Sequence, residues 1–213
     1  SLVRPVFELR CGATSLSEKL RRNFPSLDVA YSTRSYLTDT FQAKVGSAQV
    51  NNLPALDDDL FIANGRWLCI NTQITAEGPE EVGVKEGSIV YVRVQQETVR
   101  KYLGQDLNEF LNTVLEVLPK KAVEEELVSY CWDIVHHNSD ALVADFQFLG
   151  QAGVHGKMHE LSCVYGEESQ VFVASEAVIQ PMVVLDSTEG PIIIEDGATI
   201  FPHSRIEGPC FIG

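Results

Sequence analysis

The sequence has few cysteines, and none of them is arranged for a disulfide framework or a zinc site. Cys11, Cys69, Cys131, Cys163 and Cys210 are five, an odd number, widely spaced and with no C-x-x-C pair. A structural disulfide set or zinc site is therefore not expected, and a reducing, cytoplasmic setting fits. Most of these thiols sit in apolar surroundings, as in Trp67-Leu68-Cys69-Ile70, and read as small core residues. Long apolar runs are also lacking. No stretch reaches the roughly 18 residues of a membrane span, and no secretory signal is present. Ser1-Leu2 is compatible with a cloning remnant, which leaves a targeting segment upstream open. Positive charge is scarce, with 16 Lys and Arg against 30 Asp and Glu and a formal net charge of -14. That balance argues against nucleic acid or an anionic membrane as the main partner. A small phosphorylated ligand stays possible, because a few local cations and backbone N–H groups suffice to hold one.

What is present is a globular balance: 45% hydrophobic and 22% charged residues over 213 positions, enough for one large domain or two modest ones. The sharpest pattern lies near the end. Ile194, Ile200, Ile206 and Ile212 fall six apart, and small residues, Ala198, Ser204 and Cys210, follow the first three by four. Val173, Ile179 and Leu185 are also six apart, and the phase slips by three between Leu185 and Ile194. Such a period describes one short strand and one tight turn per hexad, three hexads making a triangular coil. The aliphatic side chain points into the prism, the small residue fits the corner, and a slip of three is a short loop between coils. Residues 170–213 are thus expected to form the first coils of a left-handed parallel β-helix. The pattern stops at the start of another coil, and an uncapped end exposes strand edges, so continuation past Gly213 is expected.

Residues 1–165 read as an α/β domain. In residues 14–24 (TSLSEKLRRNF), Leu16 and Leu20 share a face, Thr14 or Ser15 caps a short helix, and Glu18 stands at capping-box distance from Ser15. Residues 27–31 are a short strand candidate, and 34–41 a second short helix or a lid. Residues 59–65 are an apolar run closed by Asn64-Gly65, as expected of a buried strand ending at a turn. Residues 88–94 form another strand, and 98–102 and 107–118 are helical. The latter has Leu107, Phe110, Leu111, Val114, Leu115 and Leu118 on one face. Residues 122–130 are a helix or an extended link, 140–148 are helical, and the glycine-containing stretch 153–157 reads as a loop and mobile lid. Strands alternating with helices imply a mostly parallel sheet covered on both faces, with ligands beyond the carboxyl ends of its strands. Asn64-Gly65-Arg66 sits at such an end.

An α/β domain followed at once by such coils resembles the sugar-1-phosphate nucleotidyltransferases, and more closely a divergent GlmU-like branch of them. The matching stretches are Arg4-Pro5-Val6-Phe7-Glu8-Leu9-Arg10-Cys11-Gly12 with Glu18-Lys19, then Phe61-Ile62-Ala63-Asn64-Gly65-Arg66-Trp67, then Trp132-Asp133 through Asn138 to Asp145-Phe146, and the Gly-Pro-x-x-Ile-Gly pattern at residues 208–213. The resemblance implies a transferase that joins an NTP and a sugar 1-phosphate, releasing pyrophosphate, with Mg2+ as cofactor and a trimer through the β-helix. It also implies a glycine-rich phosphate loop, which this sequence lacks and which is expected upstream of Arg4. The family's proline-lysine pair falls at Pro5-Val6, and its metal-binding Gly-Asp at Gly65-Arg66; arginine cannot ligate Mg2+.

Two residues are candidates for catalysis, Arg10 and Lys19, and five for binding substrate or phosphate: Arg4, Glu8, Asn64, Arg66 and Asp133. Arg10 supplies a bidentate fork suited to phosphate in place of the missing lysine; with no ligand, Arg4 and Arg10 become surface ion-pair partners of Glu8. Lys19 is a catalytic cation or, on the blander reading, a solvated lysine. Arg66 follows a buried-looking strand, where an unpaired charge is costly. Asp133 suits a helix cap as well as a sugar or metal contact. His136-His137 read as loop or core residues, and His203 as an exposed turn residue or, as a resemblance to hexapeptide acyltransferases would imply, a general base on a coil. Two other functions compete: a hexapeptide-type acyltransferase using acyl-CoA on a sugar nucleotide, and a non-catalytic sugar-nucleotide-binding or assembly module.

Overall fold

The computed structural model describes residues 3–46, 48–52, 57–104 and 106–213; Ser1-Leu2 lies outside them. After a 3-10 turn at Val6–Glu8, two short strands, β1 (Arg10–Cys11) and β2 (Thr14–Ser15), lead into α1 (Leu16–Asn23). Helix α1 starts where the sequence says it should. The Ser15 Oγ accepts from the Glu18 N–H at 3.2 Å, and the Glu18 carboxylate accepts from the Ser15 N–H at 2.7 Å, which together satisfy two of the orphan donors of the first turn. The chain divides into two compact units, one of Ser15–Ser129 with the stretch up to Leu9, the other of Tyr130–Gly213 with Arg10–Thr14.

In the first unit, β3 (Ala30–Tyr31), α2 (Thr38–Val45) and β4 (Gln49–Val50) follow α1, and β3 pairs with β4 in parallel. Phe7, Phe41 and Val50 form a small buried cluster with Tyr31 and Val45 against it. Then come β5 (Leu60–Ala63), β6 (Glu81–Lys85), β7 (Ser88–Val94), α3 (Gln96–Tyr102), α4 (Leu107–Val117) and β8 (Lys120–Ala122). Four strands form one sheet in the order β5-β7-β6-β8. The sheet is mixed: β6–β8 is parallel, as is β3–β4, whereas β5–β7 and β6–β7 are antiparallel. The reason is local. Glu86 and Gly87, both at positive φ (47° and 80°), close a two-residue turn between β6 and β7, and such a turn joins only antiparallel neighbours. Strand β6 escaped the sequence reading although Val82 and Val84 alternate with Glu81, Gly83 and Lys85, because only two apolar residues carry the pattern and a glycine, a poor strand former, stands between them; the register shifts between Gly83 and Val84.

Central strand β7 is buried on both faces. One side packs with Val82, Val99, Phe110 and Val114, to which Leu107, Leu111, Leu115 and Leu118 add the stripe read from α4. The other cluster gathers Trp67, Cys69, Val90 and Tyr91. Strand β5 is an edge strand and only half-buried, not the deeply buried one that its apolar run suggests. Residues 122–130 take the extended alternative: Val128 donates to Arg66 O at 2.8 Å and Leu68 to Glu126 O at 2.9 Å.

The second unit opens with α5 (Cys131–His136) and α6 (Asn138–Leu149) and continues as ten short strands: β9 (Gly153–Val154), β10 (Lys157–Met158), β11 (Cys163–Tyr165), β12 (Val171–Val173), β13 (Val178–Ile179), β14 (Val184–Asp186), β15 (Ile192–Ile194), β16 (Thr199–Ile200), β17 (Arg205–Glu207) and β18 (Cys210–Ile212). They stack into three parallel sheets, β18-β15-β12-β9, β10-β13-β16 and β11-β14-β17, the three faces at the start of a parallel β-helix. Val173 pairs with Ile194 and Ile194 with Ile212, Ile179 with Ile200, and Leu185 with Ile206. The residues spaced by six therefore stand in columns, and they fill one apolar cluster with Ala177 and Val183.

The coils begin at Gly153. Residues 153–157 are not a lid: Gly153–Val154 pairs with Phe172 and Val173, and Lys157–Met158 with Val178 and Ile179. The signal was present but faint, since Met158 and Val164 are six apart and Val164 to Val173 repeats the nine-residue step of Leu185 to Ile194. Among the cysteines, Cys11 and Cys69 are core residues, whereas Cys131 and Cys163 are exposed, contrary to the reading of most as buried. No helix among the described residues is long and apolar enough to cross a membrane.

The loop that produces the slip of three is organised by Asp186, which is 3% exposed. It accepts from Thr188 N–H and Oγ1 at 3.1 and 2.7 Å and pairs with Arg205 at 2.5 Å. The Thr188 hydroxyl first, and then Arg205, hold its carboxyl below the usual carboxylate range. A carboxyl depressed in the folded state stabilises above its unfolded pKa and loses that contribution as pH falls through the folded value. Asp186→Asn is accordingly expected to flatten the acid-side fall of thermal stability below about pH 4; superimposable pH–melting curves for both proteins would reject this assignment.

Candidate functional site

The carboxyl end of β5 is shaped by Asn64. Its N–H donates to Val90 O at 2.8 Å, and its Nδ2 donates to Ile89 O at 2.7 Å. Its Oδ1 accepts from the Arg66 N–H at 3.0 Å, and its carbonyl from the Trp67 N–H at 2.8 Å. Both ends of the amide thus hold the turn, and Asn64 positions Arg66. Asn64→Ala is expected to lower stability by about 1–3 kcal/mol, measured by urea unfolding; Asn64→Asp, which keeps only the acceptor, should recover part. An unchanged midpoint in the alanine variant would count against the positioning role.

Gly65 lies against the 3-10 turn: a Cβ there would stand 3.0 Å from Phe7 Cδ1 and 3.6 Å from Val6 Cγ1. The two motif stretches of this unit, residues 4–8 and 64–66, are therefore neighbours. Arg66 itself is half-buried. Its backbone is fixed by Asn64 and Val128, while its guanidinium has no hydrogen-bond or ion-pair partner among the described residues. A partly desolvated fork without an acceptor is disposed to take a bidentate oxyanion.

Lys19 is fully buried on α1, which overturns its reading as a solvated side chain; a lysine at this depth requires polar company. It lies near the chain that follows Arg66. Asn23 Nδ2 donates both to Lys19 O at 2.8 Å and to Cys69 O at 3.1 Å. The Cys69 thiol is pushed up to about 12, by burial first and by Glu125 next, with Arg22 and Lys19 opposing; at neutral pH it is an inert core group and no nucleophile.

Arg4 is exposed beside the 3-10 turn. Glu8 forms an ion pair with Lys44. Arg10 and Asp133 belong to the other unit. There the Arg10 guanidinium stands 5.1 Å from the Phe211 ring centroid, a cation–π contact. The Asp133 Oδ2 accepts from Tyr130 N–H at 2.8 Å and so caps α5. In the first unit the 3-10 turn that carries Glu8 lies against Gly65, between Asn64 and Arg66, and Lys19 is linked to the chain that follows them through the Asn23 bridge to Cys69. His155 packs on the Phe172 ring, His159 Nδ1 accepts from Leu161 N–H at 3.1 Å, and His203 is an exposed turn residue at φ 62°. Among the described residues no group of three or more His, Cys, Asp or Glu is placed to hold a metal ion.

The sequence reading left two residues without a role, Asn138 and Asp145. Both turn out to hold the loop at residues 12–14. The hint in the sequence was their place in the stretch from Trp132-Asp133 through Asn138 to Asp145-Phe146; spacing alone did not single them out, because Ser139, Asp140 and Gln147 on the same helix are polar too.

Among known families, the model described as sugar nucleotidyl transferase matches residues 1–152 of the chain. No curated protein matches it.

Proposed function

Because the chain belongs to the sugar nucleotidyl transferase family, we propose that it joins an NTP to a sugar 1-phosphate, as in the GlmU-like branch it resembles. A sugar 1-phosphate oxygen attacks the α-phosphorus, the bond to the leaving pyrophosphate breaks, and an NDP-sugar forms. Charge develops on phosphoryl oxygens, so the reaction depends on fixed cations and donors aimed at them. The observation that carries this reading is the half-buried guanidinium of Arg66 at a strand end, without a partner among the described residues, within the residues that match the family. In this proposal Arg66 receives a phosphate in bidentate fashion. Asn64 holds the Arg66 backbone, Lys19 adds a buried positive charge, and Arg4 and Glu8 of the same unit stay as candidate contacts of substrate, whereas Arg10 and Asp133 belong to the other unit and carry no part of this reading.

Mg2+ is the family's expected cofactor. Arg66 stands at the strand end where the resemblance places a metal-binding carboxylate, and a guanidinium cannot ligate Mg2+, so the residue at that position does not fit a protein-held ion. No step above runs through it. Assembly as a trimer through the β-helix and a cytoplasmic location complete the proposal.

The test is pyrophosphate release by the full chain, with Mg2+ supplied, over a panel of NTPs and sugar 1-phosphates. Release that requires both substrates supports the reading. Acyl transfer from acyl-CoA without any NTP would replace it with the acyltransferase alternative, and binding without turnover with the non-catalytic one.

A further inference from the structure

We propose that residues 12–14 form an anion-receiving turn whose occupant is the chain's own Asp145 carboxylate. The turn follows β1. Gly12 takes φ 75°, a conformation that side chains other than glycine rarely adopt, and successive N–H groups face α6. The Gly12 N–H donates to Asn138 Oδ1 at 2.9 Å. The Ala13 N–H and the Thr14 N–H both donate to Asp145 Oδ2, at 2.8 and 3.0 Å, and the Thr14 Oγ1 donates to the same oxygen at 3.1 Å. Three donors thus converge on one carboxylate oxygen.

Consecutive backbone N–H groups pointing one way form a concavity with fixed partial positive charge, suited to an oxygen of a carboxylate or phosphate. Bonds from such donors to an ionised oxygen are about twice as strong as neutral ones. Asp145 is 4% exposed, so its carboxylate has lost nearly all its water and depends on these donors. Asn138 and Asp145 stand at the first and eighth positions of α6, two turns apart on one face, which lets one helix receive the whole turn. The space is closed as well: a Cβ on Gly12 would stand 2.7 Å from Asp145 Oδ2 and 2.9 Å from the Ala141 carbonyl carbon. The ligand class that the turn accepts is a small carboxylate or an orthophosphate oxygen. With Asp145 seated, the turn is filled, and phosphate recognition falls to other groups such as Arg66. Asp145 is therefore a positioning residue, which ties the segment carrying Arg10 to α6.

The test reads stability and ligand rescue, so its outcome is independent of whether the chain is a nucleotidyltransferase. Asp145→Ala in the full chain is expected to melt several degrees below the parent. Titration with formate, acetate or orthophosphate should raise the variant's melting temperature in a saturable way and leave the parent unmoved, with chloride at equal ionic strength as control. If the variant is unfolded without additive, the same anions, and not chloride, should restore its circular dichroism. Adding Thr14→Val, which removes one donor, should weaken the rescue. Asp145→Asn, which fills the space with an amide, should be less stable than the parent and indifferent to formate. Absence of any anion-specific rescue in Asp145→Ala, or an Asp145→Asn as stable as the parent, would overturn the proposal.

Discussion

Arg66→Ala is expected to weaken binding of nucleotide or sugar phosphate by roughly ten- to a hundredfold while leaving thermal stability almost unchanged. The two halves of this expectation follow from one observation. A hydrogen bond to a charged group contributes about 1.5–3 kcal/mol, and each 1.4 kcal/mol is about a factor of ten in affinity. Within the described chain, however, the Arg66 guanidinium has no acceptor to leave behind, so truncation strands no buried partner. Arg66→Lys keeps the charge and loses the fork, and should recover only part of the affinity. Calorimetric titration and a melting curve on the same preparations check both halves. Unchanged affinity removes Arg66 from the site, and a large loss of stability assigns it to packing instead.

The largest stability effect is expected at Glu81. Arg93, on central strand β7, is only 8% exposed. Its Nη2 donates to Glu81 Oε1 at 2.5 Å and its Nη1 to Glu77 O at 2.7 Å, while its buried Nε has no partner among the described residues. The Tyr91 hydroxyl donates to the same Glu81 oxygen at 2.5 Å. Burial, and after it this bond, push the phenol up from its ordinary value. Glu81→Ala leaves a buried guanidinium without its counter-charge and a buried hydroxyl without its acceptor. Removing one partner of such a pair costs about 3–5 kcal/mol, a large share of the roughly 5–15 kcal/mol that holds a typical domain. Glu81→Gln preserves an acceptor oxygen and should cost distinctly less. Urea unfolding followed by tryptophan fluorescence is suited to the measurement, because Trp67 is fully buried in the cluster that contains Tyr91. An alanine variant with the parent's midpoint would mean that Arg93 is not held by Glu81.

What could be read in advance was what has a period or a local signature. The β-helix was legible because each coil repeats the same contact, so Val173, Ile179, Leu185 and the isoleucines that follow announce their shared interior by spacing alone. The capping box at Ser15 and the apolar stripe of α4 were legible for the same reason, since both are decided within a few residues. Asn64-Gly65-Arg66 was marked as a strand end, and it is one. The first coil was missed because Val154, Met158 and Val164 are weak, partly exposed markers, and α5 because it is six residues long.

Tertiary structure decided the rest, where the deciding contact joins residues with no fixed spacing. Nothing near Lys19 in sequence shows that it is fully buried, because the groups around it, such as Cys69, lie far along the chain. The parallel pattern suggested by alternating strands and helices gives way locally at a two-residue turn, where chain length outweighs any average. Residues 10–14 join the unit of residues 130–213 through bonds that span 126 to 132 positions. Periodicity reports what a residue does with its near neighbours. A carboxylate received by a turn more than a hundred residues away is set only when the folded chain desolvates both groups and leaves each as the other's replacement for water.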